Sequence, residues 1–308
     1  MRASRLVIVG CSVAMTVALV AAPVAASDVS DYLAEADDAV YSGRRVVVTV
    51  WDGESRSGVV DVEHAGGMMM VGEESMVGDG TVRRLDSGSE GVAVTRWSAV
   101  AAAPGYDVVI GDPTEHLGRA ATTMQVMEGD LRRAELVIDD DTAAPLVTEI
   151  FDDEGRLYRY SSMVEFTPSM KNMPVPPRTT GEYEVMLRVA GSPMPVALGG
   201  YQRIDVYGGP GDSQQGFYSD GLFSYSLFVV DGERSVADMP KGASYRHDGA
   251  EYRAIVTPAE TWLVWEAEGS TYVLVGDLPP DHLEAVLEDL PRPSKRNIFA
   301  RFWHALFG

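Results

Sequence analysis

The stretch that most constrains the fold is 217–231, FYSDGLFSYSLFVVD. Two apolar runs meet there at Ser219-Asp220-Gly221. An Asp-Gly pair between such runs is a strong hairpin signal, because glycine takes positive φ at no steric cost and aspartate tolerates it. Beyond the turn, Phe223, Tyr225, Leu227 and Val229 alternate with Ser224 and Ser226. That period of two predicts an antiparallel strand with one buried and one wet face.

The same grammar recurs along the chain. A leading helix is expected at 30–40, with Leu33, Ala36 and Val40 on one face, Ser30 as its cap and Gly43 as its stop. Strands are predicted at 44–51, 59–63, 67–71, 81–85, 92–97 and 106–110, and a second helix at 113–121. Gly129-Asp130 joins runs 124–128 and 134–138, and Asp152-Asp153-Glu154-Gly155 joins 146–151 and 156–163, giving two further hairpins. Short strands with turn signals every ~8–12 residues predict an antiparallel barrel or sandwich. Pro168, Pro174, Pro176 and Pro177 rule out regular structure around 167–181 and mark a semi-rigid linker. After it come a short element at 184–189, a strand at 197–207, the glycine-rich loop 208–211 and strands at 250–257, 261–266 and 271–276. A last helix starts at Pro279-Pro280-Asp281, capped by Asp281, with Leu283, Val286, Leu287 and Leu290 as its buried stripe. The fold class is α+β. The expected order is a leader at 1–26, a first domain at 27–166, the linker at 167–181, a smaller second domain at 182–291 and a tail at 292–308.

Arg2 and Arg5, the apolar run 6–20 and the small residues Val24-Ala25-Ala26 have the form of a secretory signal peptide cleaved near Ser27. Only four apolar residues precede Cys11, too few for the ~7–15 residue apolar core that a lipoprotein site needs. Cys11 is the one cysteine, so the exported chain is expected to have neither a disulfide nor a reactive thiolate. The chain carries 25 Lys+Arg against 46 Asp+Glu, a net charge of −21. Such an acidic surface argues against nucleic acid as a partner, since phosphate contacts need basic residues.

The histidines, His64, His116, His247, His282 and His304, are scattered without metal-ligand spacing and are expected on the surface or in loops. No Gly-x-Ser-x-Gly elbow is present, and loop 208–211 lacks the spacing of a phosphate loop. The expectation is a protein with no catalytic residues, no metal and no cofactor. Apolar side chains of the first domain, Trp51, Met68, Met70, Trp97, Phe151, Tyr158 and Tyr160, form either an ordinary core or the lining of a partly open barrel that holds an acyl chain. The tail has Arg292, Lys295, Arg296 and Arg301 and no acid. As a helix it places Ile298, Phe299, Phe302, Trp303, Leu306 and Phe307 on one side. Two readings stand: a helix docked on its own domain, or an amphipathic tail meeting a membrane surface or a partner. On the membrane reading, removing 294–308 weakens vesicle binding.

Several motifs resemble those of one family. Tyr218-Ser219-Asp220-Gly221-Leu222, followed by Ser224, Ser226 and Phe228, resembles the signature hairpin of the MucB/RseB family of sigma-factor regulators. Val273-Leu274-Val275-Gly276-Asp277-Leu278-Pro279 is similar to the family's closing strand, Tyr41-Ser42-Gly43 to its opening, and Pro145-Leu146 with Asp152, Gly155, Arg156 and Leu157 to its late hairpin. Phe223 stands where the family usually has a small residue, and Asp277 where it usually has Glu. The resemblance implies a large unclosed antiparallel barrel with covering helices, as in the LolA lipoprotein carriers, followed by a smaller α+β domain. It implies a periplasmic or extracytoplasmic protein that binds a membrane anti-sigma factor, shields it from proteolysis and releases it on a lipid or lipoprotein signal. Tyr218, Ser219, Asp220 and Phe223 are the partner-binding candidates. A homo-oligomer is compatible with this reading. The alternative is an envelope carrier of lipid or lipoprotein that uses the first domain alone.

Overall fold

The computed structural model of the protein describes residues 26–65, 68–71, 75–76, 91–93, 97–168, 187–188, 194–208, 213–231, 242–258 and 260–294. Helix α1 (Ala26–Asp38) leads into β1 (Tyr41–Trp51), β2 (Glu54–Ala65), β3 (Met68–Val71), β4 (Ser75–Met76) and β5 (Gly91–Ala93). After helix α2 (Trp97–Ala102) comes a meander of β6 (Asp107–His116), β7 (Arg119–Glu128), β8 (Leu131–Asp139), β9 (Pro145–Phe151) and β10 (Leu157–Pro168). The second half contains β11 (Leu187–Arg188), β12 (Ala197–Leu198), β13 (Tyr201–Gly208), β14 (Gln214–Ser219), β15 (Ser224–Asp231), β16 (Ala243–His247), β17 (Ala250–Val256), β18 (Thr261–Ala267) and β19 (Ser270–Gly276), then helix α3 (Pro280–Glu288).

Two antiparallel sheets result. Among the described residues the first runs β5-β3-β2-β1-β10-β9-β8-β7-β6, with β4 beside β2. The second runs β11-β13-β14-β15-β19-β18-β17-β16, with β12 beside β13. Neither order returns to its starting strand, so both sheets are open. Five tight hairpins share one device: Asp52-Gly53, Leu117-Gly118, Gly199-Gly200, Asp248-Gly249 and Glu268-Gly269 have positive φ at both positions, which matches the right-handed twist of the flanking strands.

The Leu117-Gly118 turn corrects the expected helix at 113–121: that segment is the end of β6, a tight turn and the start of β7. The leading helix is also placed differently. It begins at Ala26, so Ser30 lies inside it and caps nothing, and it stops at Asp38. Gly43 belongs to β1 instead, where a Cβ would lie 2.0 Å from the Glu165 carbonyl oxygen; close strand approach, rather than a helix stop, demands glycine there. The expected strand at 92–97 divides into β5 and the first residue of α2. In α3 the N-cap is Pro279, with no side-chain cap, and Asp281 falls in the first turn with its carboxylate turned elsewhere. The leader through residue 25, the expected strand at 81–85, the linker beyond Pro168 to 181 and the tail from Lys295 lie outside the described residues, while Ala26, the last expected leader residue, opens α1. Among the described residues no helix is long and apolar enough to cross a membrane.

The period of two in 223–229 holds. Phe223, Tyr225 and Leu227 are buried and Val229 packs on the same core, while Ser224 and Ser226 stay half-exposed on the other face. The α3 stripe of Leu283, Val286, Leu287 and Leu290 is buried throughout. One core cluster crosses the two halves. It joins Leu33 and Ala36 of α1, Val100 of α2, and Met124, Val126, Leu136 and Ile150 of the first sheet to Tyr201, Tyr218, Leu227, Leu263 and Trp265 of the second, with α3. The two sheets and their helices therefore enclose one shared interior.

Candidate functional site

Where the halves meet, the apolar core gives way to two polar clusters. The first is built on β8. Ala134, Leu136 and Ile138 face the core, and the register shift that pairs Met127 with Arg132 and Val126 with Ala134 leaves Arg133 as a bulged residue, turned inward and 4% exposed. Its Nε donates to Glu128 Oε2 at 2.6 Å, and one Nη donates both to Asp281 Oδ2 at 2.6 Å and to His282 Nε2 at 2.8 Å. Because Nε2 accepts from a guanidinium, the imidazole proton sits on Nδ1, 2.5 Å from the Tyr201 hydroxyl. The Phe223 ring packs edge-on at 4.7 Å. Burial and the Arg133 charge hold the His282 pKa below its usual value, against the pull of Asp281, Asp220 and Glu128. Beside this cluster, the Tyr106 hydroxyl donates to Asp220 Oδ2 at 2.7 Å, and burial with the Asp220 charge raises the Tyr106 pKa.

Asp220 has a second task. Its Oδ1 accepts the backbone N–H groups of Leu222 at 2.9 Å and Phe223 at 2.7 Å, which locks the four-residue loop between β14 and β15. At the tip, Gly221 has φ +106° and lies against α2; a Cβ there would be 2.8 Å from the Ala103 Cβ. The loop that organises the second sheet is thus also the knob pressed onto the first half.

The second cluster is built on β10. Arg159 breaks the run Leu157-Tyr158-Arg159-Tyr160 and lies opposite Thr49 of β1. Its Nε donates to Thr49 Oγ1 at 3.0 Å, and that hydroxyl donates onward to the Pro258 carbonyl at 3.0 Å. Its Nη1 is paired with Asp277, which follows β19. The Tyr158 and Thr261 hydroxyls lie 3.3 Å apart, and Trp51 packs on Tyr245 at 5.4 Å.

The sequence-derived candidates fall in different places. Trp51, Trp97 and Tyr158 share the common core cluster. Phe151 is buried elsewhere, beneath the Arg132 guanidinium at 4.3 Å. Tyr160 is half-buried opposite Glu149, on the face turned away from that core. Met68 and Met70 lie on β3, and their side chains are outside the described residues. The described lining candidates therefore do not form one wall. Of the partner-binding candidates, Tyr218 and Phe223 are 0% and 3% exposed, Ser219 bonds to the Phe223 carbonyl, and Asp220 is engaged as above. The tail residues Ile298, Phe299, Phe302, Trp303 and Phe307 lie outside the described residues.

Two histidines expected at the surface are not there. His282 is in the seam, and His64 is 5% exposed, with Nδ1 donating to the Ala39 carbonyl at 2.6 Å and its ring stacked on Tyr41. Sequence reasoning passed over Arg133, Arg159, Tyr106, Tyr201, Asp281 and His282. The one local signal was Arg159, an arginine set among the apolar residues of the predicted strand 156–163. Among the described residues no group of acids, histidines and cysteines could hold a metal ion.

No protein-family model matches the sequence, and no curated protein matches it. Solved structures do resemble the chain. A structure of MucB is 21% identical, with a TM-score of 0.47, covering 86% of this chain and 96% of that one. The MucA/MucB complex of Pseudomonas aeruginosa is 18% identical, with a TM-score of 0.45, covering 87% of this chain and 99% of that one. A LolA superfamily protein of Nitrosomonas europaea is 10% identical, with a TM-score of 0.21, covering 83% of this chain and 96% of that one. Over most of its length, then, the chain is similar to structures of MucB, a protein of the family that its hairpin and closing-strand motifs resemble.

Proposed function

We propose that this protein is an exported, non-enzymatic regulator that binds the extracytoplasmic part of a membrane anti-sigma factor, protects it from proteolysis and lets it go on a lipid or lipoprotein signal. One observation carries the reading. Residues of the motifs behind the family resemblance, Asp220 and Gly221 in the hairpin and Asp277 after the closing strand, are among those that join the two halves. In this reading the first sheet is a LolA-type barrel whose inner face accepts an acyl chain. The second half lies over the same apolar interior, so an acyl chain entering there competes with it. A ligand that prefers one arrangement of the halves shifts the protein toward it, and a partner that prefers the other is bound less tightly by the same factor.

The test is a pull-down from membranes with residues 27–308, read by mass spectrometry with and without added lipid. The expected result is capture of a single-span anti-sigma factor that is lost when lipid is added. Capture of lipoproteins or lipid without such a partner overturns the regulator and leaves a carrier.

A further inference from the structure

The outer face of the second sheet, away from the shared interior, carries an apolar strip. The strand registers align Gln215, Phe228, Val273, Val264 and Arg253 in one row across β14, β15, β19, β18 and β17. The next row holds Ser226, Val275, Trp262 and Ile255. Each row is apolar over three adjacent strands, about 10 Å at the usual strand spacing. Val264 and Val273 are only 1% and 9% exposed, yet the apolar residues packed on them among the described residues are Phe228 and Val275 of the same face. Burial that deep on the outside of a sheet calls for a covering layer.

The path of the chain indicates what supplies it. Under the inner face, Trp265 Nε1 donates to the Pro291 carbonyl at 2.8 Å. Three residues later, the Ser294 N–H donates to the Glu266 carbonyl at 2.8 Å. Glu266 lies just past the point where the β17–β18 pairing stops, at Arg253 and Val264. The chain has thus moved from beneath the sheet to the free edge of β18, and alternation puts the Glu266 side chain on the outer face with Trp262 and Val264. The next residues are KRNIFARFWHALFG. As a helix these are about 21 Å long, enough to cross the apolar rows. A helix begun there would open with the basic Lys295-Arg296, next in the chain to the Ser294–Glu266 contact, and continue with the apolar stripe.

We propose that residues 295–308 fold back as an amphipathic helix across the outer face of the second sheet, laying Ile298, Phe302 and Trp303 on the rows of Val264 and Val275. The occupant of this face is the protein's own tail.

Residues 27–308 contain no cysteine, so a single reporter thiol can be placed at will. Val275→Cys is labelled with a maleimide in that protein, in a version ending at Ser294, and in full-length Phe302→Asp/Trp303→Asp. Both the truncation and the double variant are expected to label at least tenfold faster, and a synthetic 295–308 peptide restores protection to the truncated protein. A control thiol at Ile204→Cys, an exposed site on β13, labels equally in all three. Trp262→Cys replaces the reporter if Val275→Cys fails to fold. Equal labelling with and without the tail overturns the proposal. So does tail-dependent binding to phosphatidylethanolamine/phosphatidylglycerol vesicles accompanied by equal labelling, which assigns the tail to the membrane.

Discussion

The two halves bring opposite chemistry to their shared interior. The first sheet brings cations: Arg133 and Arg159, both almost fully buried. The second half brings acids and the imidazole that meet them, Asp277, Asp281 and His282, while Asp220 receives the hydroxyl of Tyr106. On their own side neither arginine meets a full set of anions among the described residues: Arg133 has Glu128, and Arg159 has the Thr49 hydroxyl and the Tyr158 ring. Separating the halves without letting water in would strand buried charge, although a buried pair adds little net stability over well-packed apolar residues in its place. The difference teaches that the halves are matched by charge placement, whereas the apolar cluster alone would tolerate sliding.

The largest break in this pattern is Asp277→Ala, which leaves the Arg159 guanidinium buried without its anion. Loss of one member of a buried pair costs about 3 kcal/mol or more; the Asp277 side chain is 45% exposed, so water softens the loss toward that lower figure. Urea denaturation reads it, and the double variant Arg159→Met/Asp277→Leu is expected to regain most of the stability. A smaller effect separates docking from backbone strain. Gly221→Ala and Gly118→Ala both place a side chain at positive φ, but only the first meets another element, at Ala103. Gly221→Ala is expected to cost about 1 kcal/mol more than Gly118→Ala in the same measurement. The smallest effect concerns acid. His282 resists protonation when the halves are closed, so an opened or unfolded state takes up a proton that the closed state refuses. The stabilisation is complete above the ordinary histidine value of 6.5 and is lost as pH falls through the lower folded value. His64 adds a slope of the same sign. Denaturation midpoints at several pH values should therefore fall below about pH 6.5, and His282→Gln should flatten part of that fall and leave the share due to His64.

What the sequence made legible was whatever repeats over a few residues. The alternation in 223–229, the hairpins at Gly129 and Gly155 and the stripe of α3 are local patterns, and each is found where its period put it. The errors arose where one residue had to choose between structures. Gly43 looked like a helix stop but serves a close strand contact, and the leucine of Leu117-Gly118 disguised a turn as part of a helix. The candidate site was less legible for a different reason. Arg133 and Asp281 are 148 residues apart in sequence, and no periodicity encodes such a pairing. Only the oddity of a charge inside an apolar strand pointed to Arg159, and nothing local pointed to Arg133 or His282.

The pairing of β1 with β10 also bears on how the chain becomes folded. Tyr41 lies opposite Pro168 in that ladder, while β6 to β10 are joined by short turns to their neighbours. The meander and the β1–β2 hairpin can each zip up from contacts made within a few residues, but the join between them must wait until β10 has emerged. Long-range pairing of this kind slows assembly, because loop-closure entropy is spent before the contact is gained. A chain crossing a membrane from its N-terminus would thus present β1 long before its partner strand arrives, with one edge of a valine-rich hairpin unpaired in the interval.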